Sequence, residues 1–395
     1  MDNPFTPDPG SGAATLLGVD RAKASFERAF ARACGVEGTS ANVLVTGAVG
    51  SGKTSLLRWA AGRARELGWA TLELAVHPGI RERMLEDELP RLLVERAGAL
   101  RMSRLSARAA EVLNFDSGFG EVGDASVYEQ LRVLSDVLNE DGHGLFIALD
   151  QAHRDAGQGY DELLAEIDRA VAELPNLVVG IAALPDFTER IFSERVLRPR
   201  TSEDFVKLGR LSQVDAVQLL SRGFAQAGLR VLDASVEVLA RFSRGYPPML
   251  QAIGSVLVAG VEGGSATEAE LNRAVAFGYR IVHRLYFVRM MRELDAAELQ
   301  LLRVLSDAGA AASADGAMVF ASAPLSLIAL ADRLRESSDV VRTQLNRLMT
   351  HGILALNEAD QAEVVMPMLR ESLQSEAKRL SGPTPAVALA SERGG

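Results

Sequence analysis

The stretch Gly47-Ala48-Val49-Gly50-Ser51-Gly52-Lys53-Thr54, followed by Ser55, constrains this chain more than any other. It matches G-x-x-x-x-G-K-[ST] in full, and its flanks suit that pattern. Asn42-Val43-Leu44-Val45-Thr46 before it is a short β-branched run, read as a buried strand. Leu56, Leu57, Trp59 and Ala60 after it continue as an amphipathic helix to about Leu67. Strand, glycine loop and helix make an anion cradle. Glycines let successive backbone N–H groups converge on one anion, and the helix N-terminus adds partial positive charge there. Lys53 is placed to reach the β- and γ-phosphates of a nucleoside triphosphate, and the Thr54 hydroxyl to join the shell of Mg²⁺. A triphosphate site is expected at residues 47–55.

A second stretch supports the first. Gly144-Leu145-Phe146-Ile147-Ala148-Leu149-Asp150 is an apolar run closed by an acid. It has the form of a central parallel strand that delivers a carboxylate to its C-terminal edge. Asp150 is therefore expected to hold Mg²⁺ beside Thr54.

At 395 residues the chain exceeds a single core, so two or three domains are expected. No run approaches ~18 apolar residues, and Met1-Asp2-Asn3-Pro4 lacks the basic and apolar regions of a signal peptide. The single cysteine, Cys34, excludes an internal disulfide and suits a reducing, cytoplasmic setting. A net charge of −10 argues against a general polyanion binder.

Periodicity divides the chain. Residues 1–15, rich in Pro and Gly, are expected to be disordered. Residues 16–210 alternate strands and helices; the strands are about 42–46, 69–76, 144–150, 177–183 and 205–208. Helical periodicity without strands fills 211–292. Residues 293–378 read as helix, helix, turn, helix and hairpin, the plan of a winged helix. A disordered tail is expected over 379–395.

Taken together, the glycine loop, the strand ending in Asp150, the helical segment and the winged helix resemble AAA+ and STAND-type ATPases. The likeness is greatest to ATP-binding proteins with an origin-recognition-complex-like core. Gly245-Tyr246-Pro247-Pro248-Met249-Leu250-Gln251 is similar to that group's GYP-x-x-x-Q segment, and Leu17-Gly18-Val19-Asp20-Arg21 resembles its N-terminal box. The resemblance implies an α/β P-loop NTPase core, a parallel sheet in the order 5-1-4-3-2, with 211–292 as a helical lid. It implies ATP and Mg²⁺ as ligands, Gly47 to Ser55 around the phosphates, Val19 beside the adenine, and Pro247 approaching the nucleotide. An arginine finger from Arg195, Arg198 or Arg200 would act on a neighbour's nucleotide, which implies self-assembly or a protein partner.

Three positions depart from that pattern, and each bears on hydrolysis. Gln151 stands where such enzymes usually carry a glutamate that polarises the attacking water. An amide orients water but cannot take its proton. Ala182-Ala183 occupies a place usually held by a polar sensor. Pro247-Pro248 stands where many members put a sensor arginine, and Arg244 is displaced from it. Binding with slow turnover is expected, with Lys53, Asp150 and Gln151 at the reacting end. His153 and Asp155 follow Gln151 closely enough to serve as substitute bases, but read more simply as loop residues. The winged helix carries seven basic residues against thirteen acidic ones over 293–378, which disfavours DNA as its partner.

Overall fold

The computed structural model describes residues 3–8, 16–35, 38–101, 125–153, 157, 159–261, 264–292, 294–311, 324–351, 353–356, 359, 361–364 and 373. The sequence expectations for a helix at 103–113, for Asp155 and for the tail fall outside them.

Five parallel strands form the central sheet: β1 (Ala41–Gly47), β2 (Ala70–Ala75), β3 (Leu145–Asp150), β4 (Leu177–Ala183) and β5 (Phe205–Leu208). Their order is β2-β3-β4-β1-β5, the expected 5-1-4-3-2 read from the other edge. β1 and β4 are buried along their whole length, as apolar runs without alternation require of central strands. One face is covered by α1 (Asp20–Ala33) and α2 (Lys53–Glu66), where Phe26, Phe30, Trp69 and Phe146 interlock edge to face. The other face is covered by α3 (Leu89–Arg101), α4 (Val127–Glu140), α5 (Tyr160–Glu173) and α6 (Pro185–Glu194). The sequence reads as one helix over 81–97. The structure instead opens a π turn at Met84–Glu88 just before Pro90, whose missing N–H and bulky ring an α-helix accommodates poorly.

Beyond β5 the chain is helical: α7 (Gln213–Gln226), α8 (Asp233–Ser243), α9 (Pro247–Gly260) and α10 (Glu268–Val282). α10 continues through a π turn, His283–Phe287, to Met291. The last unit holds α11 (Ala296–Ala311), α12 (Leu327–Leu334), α13 (Ser338–Thr350) and a hairpin of β6 (Leu354–Leu356) and β7 (Ala362–Val364). A bridge between Leu325 and Ala362 adds a short third edge, completing the wing. Helical region and winged unit share one apolar cluster, running from Leu220 and Ile253 through Phe287 to Leu302 and Leu348.

The Pro/Gly-rich start differs from expectation over residues 3–8. Phe5 is buried in the helical region, between Gly223 and Gly254, and its ring lies 5.4 Å from that of Phe224. Asn3 donates to the Ser255 carbonyl at 3.1 Å, and the Thr6 N–H to Gln251 Oε1 at 2.9 Å. The segment has no regular structure because its partners are side chains and carbonyls of distant helices.

Candidate functional site

β1 delivers residues 47–52 to the C-terminal edge of the sheet, and α2 starts at Lys53. The helix has no side-chain cap hydrogen bond and no acid in its first turn, so its positive end is directed at the loop. Lys53 Nζ donates to the carbonyls of Gly47 at 2.7 Å and Ala48 at 2.8 Å. Enclosure of the ammonium pushes its pKa down to about 8, against the opposing pull of Asp150. Ser51 Oγ is buried and has no hydrogen-bond partner among the described residues. A buried hydroxyl in that state costs about 1–3 kcal/mol, which an anion at the loop would relieve.

Thr54 and Asp150 meet across the sheet edge, the Thr54 hydroxyl donating to Asp150 Oδ2 at 2.7 Å. The other carboxylate oxygen accepts the Gln151 N–H at 2.9 Å, which fixes the carboxylate's orientation. One hydroxyl and one carboxylate on adjacent elements are hard oxygen donors, the set that suits Mg²⁺ when phosphates and water complete its shell.

Gln151 turns the chain out of β3 with φ +59°, an uncommon conformation for a residue with a side chain. The Ala152 N–H then returns to the Ala182 carbonyl at 2.9 Å, and the Tyr160 hydroxyl donates to the Ala152 carbonyl at 2.8 Å. Gln151 is thus held at the strand end by hydrogen bonds on both sides of it. His153 is half-buried in the same turn. Ala182 and Ala183 are fully buried and offer no polar group at the end of β4.

The helical region closes over the loop from the other side. The Tyr246 hydroxyl donates to the Val49 carbonyl at 3.2 Å. Gly50, at φ +78°, has no room for a side chain, because a Cβ would stand 2.5 Å from Pro248 Cγ and 2.7 Å from the Tyr246 hydroxyl. Gly50 is a variable position of the motif, yet here the approach of Tyr246 and Pro248 demands glycine. Pro247 lies between those two residues, in the first turn of α9. Val19 caps α1 through its carbonyl and is buried, while the adjacent Gly18 packs against Leu211 and Asp215 at the core–helical junction. Ser55 is half-buried in the first turn of α2.

Together these observations define a glycine loop at the end of β1, an acid at the end of β3, a 5-1-4-3-2 sheet and a helical cover. The fold is that of an AAA+ P-loop ATPase. Solved structures match over almost the whole chain. The Walker-type ATPase of Pyrococcus abyssi superposes with a TM-score of 0.63 at 16% identity, covering 93% of this chain and 98% of its own. The ORC2 protein of Aeropyrum pernix, in its ADPNP–ADP complexes, gives 0.59 at 14% identity, covering 95% and 98%. No family model and no curated protein matches the sequence.

Of the three finger candidates, Arg200 donates to the Val171 carbonyl at 3.2 Å near the end of α5, at the sheet edge opposite the loop. Arg195 and Arg198 are exposed after α6, with Arg198 over the Phe192 ring at 5.7 Å. Sequence reading placed Tyr246 and Pro248 in a lid motif but gave neither a contact with the glycine loop. The signal was present as an aromatic residue and a second proline after Gly245, but the loop they touch lies about 200 residues earlier.

Proposed function

We propose that this chain is an ATP-dependent molecular switch, with MgATP held between the core and the helical lid and hydrolysed slowly. The hydrogen bond between Thr54 and Asp150 carries the reading, because it joins the loop's hydroxyl to the strand-end acid where the motif requires both. Mg²⁺, when bound there, would neutralise charge on the β- and γ-phosphates. Residues 47–52 would cradle the phosphates with backbone N–H groups, and Lys53 would exchange its loop carbonyls for phosphate oxygens. Gln151 would orient a water without accepting its proton, so turnover is low.

The nucleotide state would be read through the winged unit. Arg210, in the linker after β5, pairs with Glu363 of β7 at 3.3 Å and also donates to the Val364 carbonyl. Burial and the like charge of Arg244 push the Arg210 guanidinium down to about 10, and Glu363 opposes both. One wing carboxylate thus offsets two half-buried arginines at the hinge between core and lid. α13 packs against α6, and Arg347 pairs with Asp295 at 3.3 Å. The acidic balance of the winged unit, seven basic residues against thirteen acidic ones over 293–378, favours a protein partner or self-assembly over duplex DNA.

Steady-state ATP hydrolysis by the wild type and by Gln151→Glu, at high and low protein concentration, tests the reading. The glutamate supplies the missing base and is expected to raise kcat by about 100-fold, the lower end of the range general bases contribute. MgATP binding with no turnover in either protein would overturn the hydrolytic part; no binding in either would overturn the whole. Glu363→Gln is expected to release the wing, at a cost of about 2 kcal/mol for the uncompensated arginines. Hydrogen exchange over 354–364 should then accelerate; unchanged exchange would rule out the wing as the reader of the hinge.

A further inference from the structure

Three consecutive carbonyls of the glycine loop are held in place. Lys53 takes those of Gly47 and Ala48, and Tyr246 takes that of Val49. The last bond is unlike the first two, because its donor comes from the lid, 197 residues away. A trans peptide is planar, with its C=O and N–H pointing in opposite directions. Fixing the Val49 carbonyl toward the lid therefore turns the Gly50 N–H away from it. In a loop that binds phosphate through backbone N–H groups, the direction of that one amide decides whether it contributes.

We infer that Tyr246 is a positioning residue for the phosphate cradle: its hydroxyl sets the Val49–Gly50 peptide so that the Gly50 N–H faces the phosphates. The inference rests on the assignment of a nucleotide to this loop.

The surroundings of Tyr246 suit that task. The residue is 1% exposed, and its ring meets Tyr286 edge to face with centroids 6.4 Å apart. Burial raises the phenol well above its ordinary pKa, so the hydroxyl remains a neutral donor throughout the working range of pH. Pro248 and the hydroxyl together fill the space over Gly50, so the peptide cannot flip without moving the start of α9. That start is anchored in turn, since Leu211 N–H donates to the Gly245 carbonyl at 2.9 Å where the linker enters the lid. Tyr246 therefore sits one residue from the hinge, where a lid rotation displaces it least. Tyr286 provides an internal contrast. Its own hydroxyl donates to the Pro7 carbonyl at 3.2 Å and makes no hydrogen bond to the loop.

Titration calorimetry of the full chain with MgADP and MgATP, comparing wild type, Tyr246→Phe and Tyr286→Phe, tests the inference. Removing one neutral hydrogen bond that orients a ligand-binding amide is expected to weaken both nucleotides about fivefold in Tyr246→Phe. Tyr286→Phe is expected to bind as the wild type does. Equal losses in the two variants would mean that the hydroxyls only hold the lid core, and would overturn the inference. So would wild-type affinity in Tyr246→Phe. Absence of nucleotide binding in the wild type would instead bring down the switch reading, and the inference with it. Should Tyr246→Phe fail to fold, hydrogen exchange on the wild type decides. MgADP must slow exchange in 245–250 together with 47–54, and slowing confined to 47–54 overturns the coupling.

Discussion

Lys53→Ala is expected to weaken MgATP binding by about 100-fold at pH 7, measured by titration calorimetry against the wild type. Charge-assisted hydrogen bonds to a phosphate are worth up to about 3 kcal/mol, or two decades in affinity. The ammonium is pushed down only to about 8, so it is mostly charged at that pH. Its present partners, the carbonyls of Gly47 and Ala48, sit beside the loop's own N–H groups, so the lysine is stored where a phosphate would collect it. Truncation leaves those carbonyls to water at little cost to the fold, which separates loss of binding from loss of structure. Unchanged affinity in a folded Lys53→Ala protein would remove residues 47–55 as the site.

Gly245→Ala is expected to cost about 3 kcal/mol of stability, read from the urea midpoint. Gly245 lies at φ +70°, which alone costs alanine about 1 kcal/mol. The added Cβ would stand 2.0 Å from the Leu211 carbonyl oxygen, and backbone cannot rotate aside as a side chain can. Linker and lid would have to part, breaking the Leu211–Gly245 hydrogen bond and drawing Tyr246 off the loop. A loss below about 1 kcal/mol would mean that the hinge tolerates separation, and that the position of α9 is set elsewhere.

The core was legible because its signals are local. An apolar run ending in Asp150 announces a buried strand whether or not its neighbours are known, and the glycine loop carries its spacing in eight consecutive residues. Sheet order came from the family likeness and agrees with the strand pairings. Across the chain, legibility fails. Composition describes residues 3–8 as unable to form helix or strand, which they do not. It is silent about a slot between Gly223 and Gly254 shaped for Phe5. Arg210 and Glu363 read as ordinary charged residues and Arg244 as an arginine displaced from the sensor position, and only the fold of the wing makes them a cluster. Tyr246 was visible in a motif, but its partner is a backbone carbonyl, which no side-chain pattern records.

The docking of Phe5 also bears on the order in which this protein can be made. During synthesis Asn3 and Phe5 leave the ribosome long before their partners exist, since Asn3 and Ser255 are 252 positions apart. The core strands all precede residue 209 and can pair as they emerge, while the lid's apolar interior lacks α9 until residue 260 has been translated. Until then Phe5 is an aromatic without its slot, the kind of surface chaperones recognise and aggregation exploits. The lid is therefore a late-completing unit that closes over a segment made well before it. A lid excised as residues 211–292 would lack that ring as well as the winged unit's share of its apolar cluster.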